Sequence, residues 1–568
     1  MARDPWGEFV RQATALRTAA EQAAGLAADA AMEFPDPQHG DLAFPCFAHA
    51  KAARKAPAAV AAELAAHMVP TGLVAAVRPT GPYVNFTADA RALAGELLTA
   101  WRELGTDYGR GAPRAERVLV EHTSANPNGP LHVGRTRNPI IGDSLARLLR
   151  LAGHPVTTEF FVNDIGRQMV ILAWGVKNLP APPDAPAKED HALVVHYREA
   201  SKRFEEDPAV KERVSAMIYA FENGDEALTR EVRAVAERGL RGMTQTLREI
   251  GVTFDSFFWE SDLVLAGKQK AVVERLRAQC REENGALFVD MAAHGIQGRE
   301  PRVFLTRGDG TSLYPTRDLA YHLDKFSRCD IAVNVLGEDH KLEHEELRIL
   351  LRLMGVERSP EVLYYAFVSL PEGKMSTRRG VVVNMDDLIE EALERARAEV
   401  DRRRPELPED RRREIARTVG ISALRYNIVR VQPEKKITFH WEEALSFEGN
   451  AAPFLQYAHA RCHGILVKAG APEPAASVPA LHAAETTLVK TLARYPSTVA
   501  SAAEARLPHR IATYANALAS DFNAFYRDCP VLDAPENSRA FRLALVAVTK
   551  AALGSALPVL GVAAPDEM

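Results

Sequence analysis

The stretch SANPNGPLHVGRTRNPIIGDSLARLL, Ser124 to Leu149, sets His132, Gly134 and Arg135 between a Gly129-Pro130 turn and an apolar helical pattern. It follows VLVEHTS, which reads as a buried strand. A passage from strand through loop to helix leaves unpaired N–H groups at the helix start and aims the positive end of the helix dipole forward, which favours phosphate. Gly134 lets a flat group such as adenine approach the backbone, and His132 can donate to a phosphate oxygen. A histidine here can equally cap the turn. Farther on, GKMSTRRG, Gly373 to Gly380, gathers a lysine, two arginines and two hydroxyls after YYAFVSL. This is either a loop that brings cations to a polyphosphate or a solvated basic turn, but chance explains the ordered pair of clusters much less well than either cluster alone.

The elements needed to hold these groups are legible. RVLVEH predicts a strand, a helix runs from about Pro139 to Leu151 with Gly153 at its C-terminal cap, and VTTEFFV is the next strand. That order argues for a parallel sheet with right-handed crossovers. Long charged helices from about 168 to 285 read as an insertion before strands resume at ALFVDM, RVFLTR, CDIAVNVLG and VLYYAFVSL, with GDG as a tight turn. Beyond about 405 nearly everything has helical period, which predicts a bundle. The first hundred residues are a small mixed domain. The expected fold is therefore multidomain α/β plus all-α. A small N-terminal α+β domain (1–112) precedes a Rossmann-like parallel-sheet domain (113–405), and a C-terminal helical bundle (406–568) follows.

Composition narrows the class of protein. A chain of 568 residues with 47% hydrophobic and 26% charged residues is built for several globular cores. A formal net charge of −5 advertises no overall basicity, although a balanced total can hide a basic face. The five cysteines form no CxxC pair, so neither a zinc site nor a disulfide framework is indicated. The start of the chain carries acidic groups and no apolar core of a leader, and no membrane segment is expected, which predicts a cytoplasmic location.

The two clusters resemble the HIGH and KMSKS signatures of class I aminoacyl-tRNA synthetases. SANPNGPLHVGR, NDIGRQ, TRDLAYHLDKF, LGEDH, KMSTRRG and SFEGNAAPFLQYAHARC each resemble arginyl-tRNA synthetases, and the order of parts covers essentially the whole chain. The resemblance implies an arginine-tRNA ligase. It would form arginyl-adenylate and pyrophosphate from arginine and ATP with Mg2+, then transfer arginine to the terminal ribose of tRNA(Arg). A monomer with no tightly bound cofactor and no dedicated protein metal cage is expected. The implied catalytic residues are His132, Arg135 and Lys374. The implied ATP contacts are His132, Gly134, Arg135, Asn138, Asp339, His340, Lys374, Met375, Ser376 and Arg378. For arginine they are Glu121, Ser124, Asn126, His132, Tyr314 and Asp318; a planar guanidinium asks for a carboxylate that accepts paired N–H bonds, and Tyr314 and Asp318 stand four residues apart on one helical face. For the tRNA they are Tyr457, His459, Arg461 and Tyr514, since single-stranded loops are read by stacking and base-edge hydrogen bonds. The N-terminal PQHGDLAFPCF resembles the family's domain that touches the tRNA corner. Asn163, Asp164 and Gln168 are placed as pocket walls, and LGEDH is either a pocket or ribose contact or a structural turn.

Two signature positions depart from the family pattern. Arg135 stands for the second histidine and Thr377 for the last lysine, and the place where some relatives carry a compensating lysine is Gly129 here. Arg135 and Arg378 are the candidates for the missing cation. The rival readings are a small nucleotidyltransferase, which lacks the helical appendix, and a non-catalytic RNA-binding relative.

Overall fold

The computed structural model describes residues 3–568 except 27, 37, 181–185, 298–300, 370–383 and 471–476. At its centre is a five-stranded, all-parallel sheet. The spatial order is Glu361–Tyr365, Ile331–Gly337, Val118–Glu121, Val156–Val162 and Ser256–Trp259. Val118–Glu121 is buried along its whole length, as expected for a strand covered on both faces. The chain moves outward from it to one side through the next two strands, then returns to its other side with Ile331–Gly337. The direction of winding therefore reverses between these two neighbours, and in such sheets a crevice opens there, at the carboxyl ends of the strands.

The helix Arg137–Leu151 follows the central strand and is buried almost all round. It lies between the sheet and C-terminal helices, packing against Glu409–Val429, Tyr495–Glu504 and Glu536–Val559. A helix so enclosed needs apolar or internally satisfied side chains on every face. The N-terminal domain has a three-stranded antiparallel sheet, ordered Leu42–Pro45, Tyr83–Ala88, Val74–Thr80, with helices packed against it. It docks on the C-terminal helices through Asp41–Lys490 at 2.7 Å and a Tyr108 hydroxyl that donates to the Leu492 carbonyl. Ser538–Val559 is the one described helix long and apolar enough to cross a membrane. It is 56% buried inside the protein, as suits a bundle core.

Two expectations about the sheet are corrected. Ser256–Trp259 falls within the span read as a helical insertion, yet it forms the edge of the parallel sheet beside Val156–Val162. Four residues among long charged helices gave no period to detect. The segments ALFVDM and RVFLTR do not rejoin that sheet. Ala286–Asp290 and Arg302–Phe304 pair with Arg281–Glu283 in a separate three-stranded antiparallel sheet. A strand's apolar run does not say which sheet receives it.

Candidate active site

The loop after the central strand begins under strain. Thr123 and Ser124 hold positive φ angles of 75° and 34°, which residues with a Cβ rarely adopt. The Asn138 side chain pins them: its oxygen accepts from the Thr123 amide at 2.7 Å, and its nitrogen donates to the Val335 carbonyl at 3.0 Å. Asn138 thus ties two neighbouring strand ends to the helix start at the crevice. Expected as an ATP contact, it has its side chain committed to backbone and shapes the loop instead.

His132 and Arg135 are exposed on the far side of this turn. The His132 Nδ1 accepts the Gly134 amide at 3.0 Å, so the neutral ring carries its proton on Nε2, as a free donor. Partial burial, then the nearby Arg135 charge, pushes the imidazole below its ordinary pKa and favours that neutral form. The Arg135 guanidinium has no ion pair with any described residue. Gly129 is buried, and a Cβ there would meet the Val194 methyl at 2.5 Å, so a lysine at this place would require Val194 to shift. Lys374, Met375, Ser376, Thr377 and Arg378 lie outside the described residues.

The helix Tyr314–Arg328 crosses the same crevice and brings Tyr314, Asp318, His322 and Lys325 to it. Around it acids and bases pair off. Glu121 receives Lys325 at 2.6 Å, Glu260 receives Arg317 at 2.5 Å, and Glu159 is held by both arms of Arg328 at 2.7 and 2.9 Å. Asp318 is the exception. Its only ion-pair partner among the described residues is the His322 ring, at 3.2 Å. Burial raises the Asp318 carboxyl, but His322 and then Lys325 outweigh it and hold the group below the ordinary aspartate range, so it is ionised. Tyr314, 46% exposed, has its phenol pushed well upward, first by the Asp318 charge, with Glu121 and Glu260 adding to it. Glu260 itself is raised to about 7 by burial, against the pull of Arg317. Among the described residues Asp318 is thus a carboxylate with only a histidine ring for an ion-pair partner, and a phenol stands one helical turn away. This arrangement suits a planar cation.

The other expected residues divide. Glu121 and Ser124 are linked to each other at 2.8 Å, and the second Glu121 oxygen is occupied by Lys325, so both buttress the pocket floor. Asn126 is exposed and donates weakly to Gln168 at 3.3 Å. Asp164, expected as a pocket wall, is fully buried and accepts the Ser261 amide. Asp339 is exposed and His340 half-exposed, on a short turn ending Ile331–Gly337. On the C-terminal helices Tyr457 is 45% exposed, and Arg461 stacks over it at 4.5 Å and over Tyr526 at 5.2 Å. His459 and Tyr514 are corrected. His459 is buried with its Nδ1 on the Pro565 carbonyl, and Tyr514 is buried in a stack with Tyr495, so neither presents a face to RNA. Sequence reasoning missed Lys325, Glu260 and Arg317. Lys325 had a signal, since 314, 318, 322 and 325 share one helical face.

A cluster of metal-ligand types occurs elsewhere among the described residues, at Asp190, His191 and Asp386. The Lys188 ammonium already sits on both aspartates, at 3.1 and 2.7 Å, and leaves no place for a cation.

The sequence signature described as tRNA synthetases class I (R), catalytic domain, matches residues 103–441. Those of the arginyl tRNA synthetase N terminal domain and the DALR anticodon binding domain match 11–88 and 455–568. An arginine-tRNA ligase of Methanocella arvoryzae is 44% identical over 94% of this chain and 95% of its own length. The chain belongs to the arginyl-tRNA synthetase family. The arginine-tRNA ligase of Methanothermobacter thermautotrophicus is 43% identical over 94% of both chains. Thermus thermophilus arginyl-tRNA synthetase superposes with a TM-score of 0.84 at 31% identity, over 98% of this chain and 100% of the other. The Plasmodium falciparum arginyl-tRNA synthetase shares the fold, with a TM-score of 0.82 at 17% identity. The expected fold class and the synthetase family are thereby established, and the nucleotidyltransferase rival falls.

Proposed function

We propose that this arginyl-tRNA synthetase condenses arginine with ATP in the crevice between the 132–135 turn and the helix Tyr314–Arg328, then charges tRNA(Arg). The carrying observation is the Asp318 carboxylate beside Tyr314, which has only the His322 ring for an ion-pair partner among the described residues and is free of any Lys or Arg pair, a partner for the guanidinium of arginine. Adenylation is an in-line attack by the arginine carboxylate oxygen on the ATP α-phosphorus. An O–P bond forms, the bond to pyrophosphate breaks, and no protein nucleophile is needed. Catalysis is then positioning and charge stabilisation. In this reading the His132 Nε2–H donates to a phosphate oxygen, and Arg135 supplies a permanent charge where a histidine would be only partly charged. Gly134 leaves room for the nucleotide, and Asp339 and His340 border its ribose. By the family resemblance Lys374, Met375, Ser376 and Arg378 belong with the phosphates. Mg2+ arrives on the phosphate oxygens, its usual mode of binding to nucleotides, and supplies charge neutralisation there.

Tyr457 and Arg461 offer a stacking platform for unpaired bases, which supports an anticodon reader in the C-terminal helices. The same resemblance implies a cytoplasmic monomer whose arginine activation depends on bound tRNA. Charging of a tRNA(Arg) transcript with labelled arginine is the test. Absence of arginyl-tRNA with ATP and Mg2+ present would return the chain to the class of RNA-binding relatives without activity.

A further inference from the structure

Arg137 opens the helix behind the 132–135 turn, and it is fully buried. A cation at the positive end of a helix is electrostatically misplaced, so its position requires another reason. No described carboxylate pairs with it. Its two terminal nitrogens instead donate to four backbone carbonyls: Ala366 at 2.8 Å, Lys435 at 2.6 Å, Gln432 at 2.8 Å and Val431 at 3.3 Å. Burial draws its pKa down to about 10, which leaves it charged at neutral pH.

The carbonyls belong to two segments that are joined to each other. The Ala366 amide donates to the Pro433 carbonyl at 2.9 Å, and Val368–Ser369 pairs in parallel with Ile437–Thr438. The first segment packs against the turn Val133–Arg135, while the second leaves the helix Glu409–Val429 toward the C-terminal helices. The middle of the helix Arg137–Leu151 is held by a second buried arginine, this one through a carboxylate. Arg425, also fully buried, donates to Asp143, to the Ile250 carbonyl at 2.6 Å and to the Leu560 carbonyl at 3.1 Å.

We propose that Arg137 is a positioning residue for adenylation, holding the 132–135 turn in register with the strand Val368–Ser369 and with the root of the C-terminal helices. The phosphate loop and that root then move as one unit. Arginine is required because its planar fork reaches carbonyls on both segments at once, whereas a lysine ammonium has three donors on a single point and cannot span them.

The inference rests on the 132–135 turn being the phosphate loop, so His132→Ala is measured in parallel with Arg137→Met and Arg137→Lys. Pyrophosphate exchange is recorded with saturating tRNA, alongside the Kd for ATP and thermal melting. Arg137→Lys keeps charge and bulk and guards against a Met variant that fails to fold. The expected result is a fall in kcat of about 100-fold for Met and at least about 10-fold for Lys, with ATP Kd and arginine KM within about threefold of wild type. Millimolar guanidinium should partly restore kcat in an Arg137→Ala chain. Wild-type kcat in Arg137→Lys, or a loss confined to KM, would overturn the inference while an inactive His132→Ala left the loop reading standing. Full exchange in His132→Ala would instead remove that reading.

Discussion

Replacing Asp318 by asparagine removes one charge and little volume from the arginine pocket. The surrounding acids cannot take over, because Glu121, Glu159 and Glu260 each already hold a basic side chain at 2.5–2.7 Å. Among the described residues Asp318 has only the His322 ring, at 3.2 Å, and no lysine or arginine. An amide at this place can still meet His322, but it exchanges a charge-assisted pair with the guanidinium for a neutral contact. The difference is worth about 1.5–3 kcal/mol, which corresponds to roughly 10- to 150-fold in kcat/KM for arginine. The ATP parameters should stay near wild type, since the nucleotide loop is carried by a different element. Pyrophosphate exchange, titrated separately with arginine and with ATP at saturating tRNA, separates the two. Unchanged kcat/KM for arginine, or an equal loss against ATP, would refute the pairing argument.

Arg135→Ala should raise the adenylation barrier by about 2–4 kcal/mol, the cost of one lost transition-state donor. Arg135→His should recover part of that, with activity rising as pH falls toward the imidazole pKa once the wild-type profile is divided out; wild-type exchange in the alanine variant would show the arginine to be a bystander. Tyr457→Ala and Arg461→Ala should each raise the tRNA KM, by the about 1–3 kcal/mol typical of a lost base stack. Tyr514→Phe, by contrast, should leave tRNA KM unchanged, because that buried hydroxyl has no hydrogen-bond partner among the described residues. A charging assay over tRNA concentration decides between the two sets. Burial would raise the Asp386 carboxyl, but hydrogen bonds from His191 and Lys188 more than offset it and hold it at about 2. Its folded pKa lies below the unfolded value, so the stabilisation, about 2 kcal/mol, is present above pH ~4 and fades as pH falls from ~4 toward ~2. Melting curves of Asp386→Asn should therefore fall less steeply with acidification than wild type, and parallel curves would argue against the Lys188 and His191 clasp.

The order of parts could be read from the chain because each part has its own period. The central strand is apolar up to its last residue, Glu121, the helix after His132 has unbroken helical spacing, and the last third has almost no strand signal. Tyr314 and Asp318 were legible as neighbours for the same reason, since four residues bring side chains to one face, whereas their assignment to arginine came from the family resemblance. What sequence could not give was the partner of each charge. The Lys325–Glu121 and Arg317–Glu260 pairs join residues far apart in the chain, and only the fold shows that they leave Asp318 without a lysine or arginine among the described residues. Orientation was hidden as well. Tyr457, His459 and Arg461 occupy a single helical turn or so, yet Tyr457 is exposed, Arg461 is half-buried against its ring and His459 faces the core. Ser256–Trp259 was lost because four residues carry too little pattern to compete with the charged helices beside them.

The most direct test of the central claim sets arginine against citrulline in tRNA-supported pyrophosphate exchange. Citrulline keeps the shape of arginine and lacks its charge, so a pocket built on the Asp318 carboxylate should reject it by at least the charge-assisted pair, about 1.5–3 kcal/mol, or roughly 10- to 150-fold in kcat/KM. In Asp318→Asn the preference should narrow by a similar factor. Equal exchange with both amino acids in the wild-type protein would contradict the account.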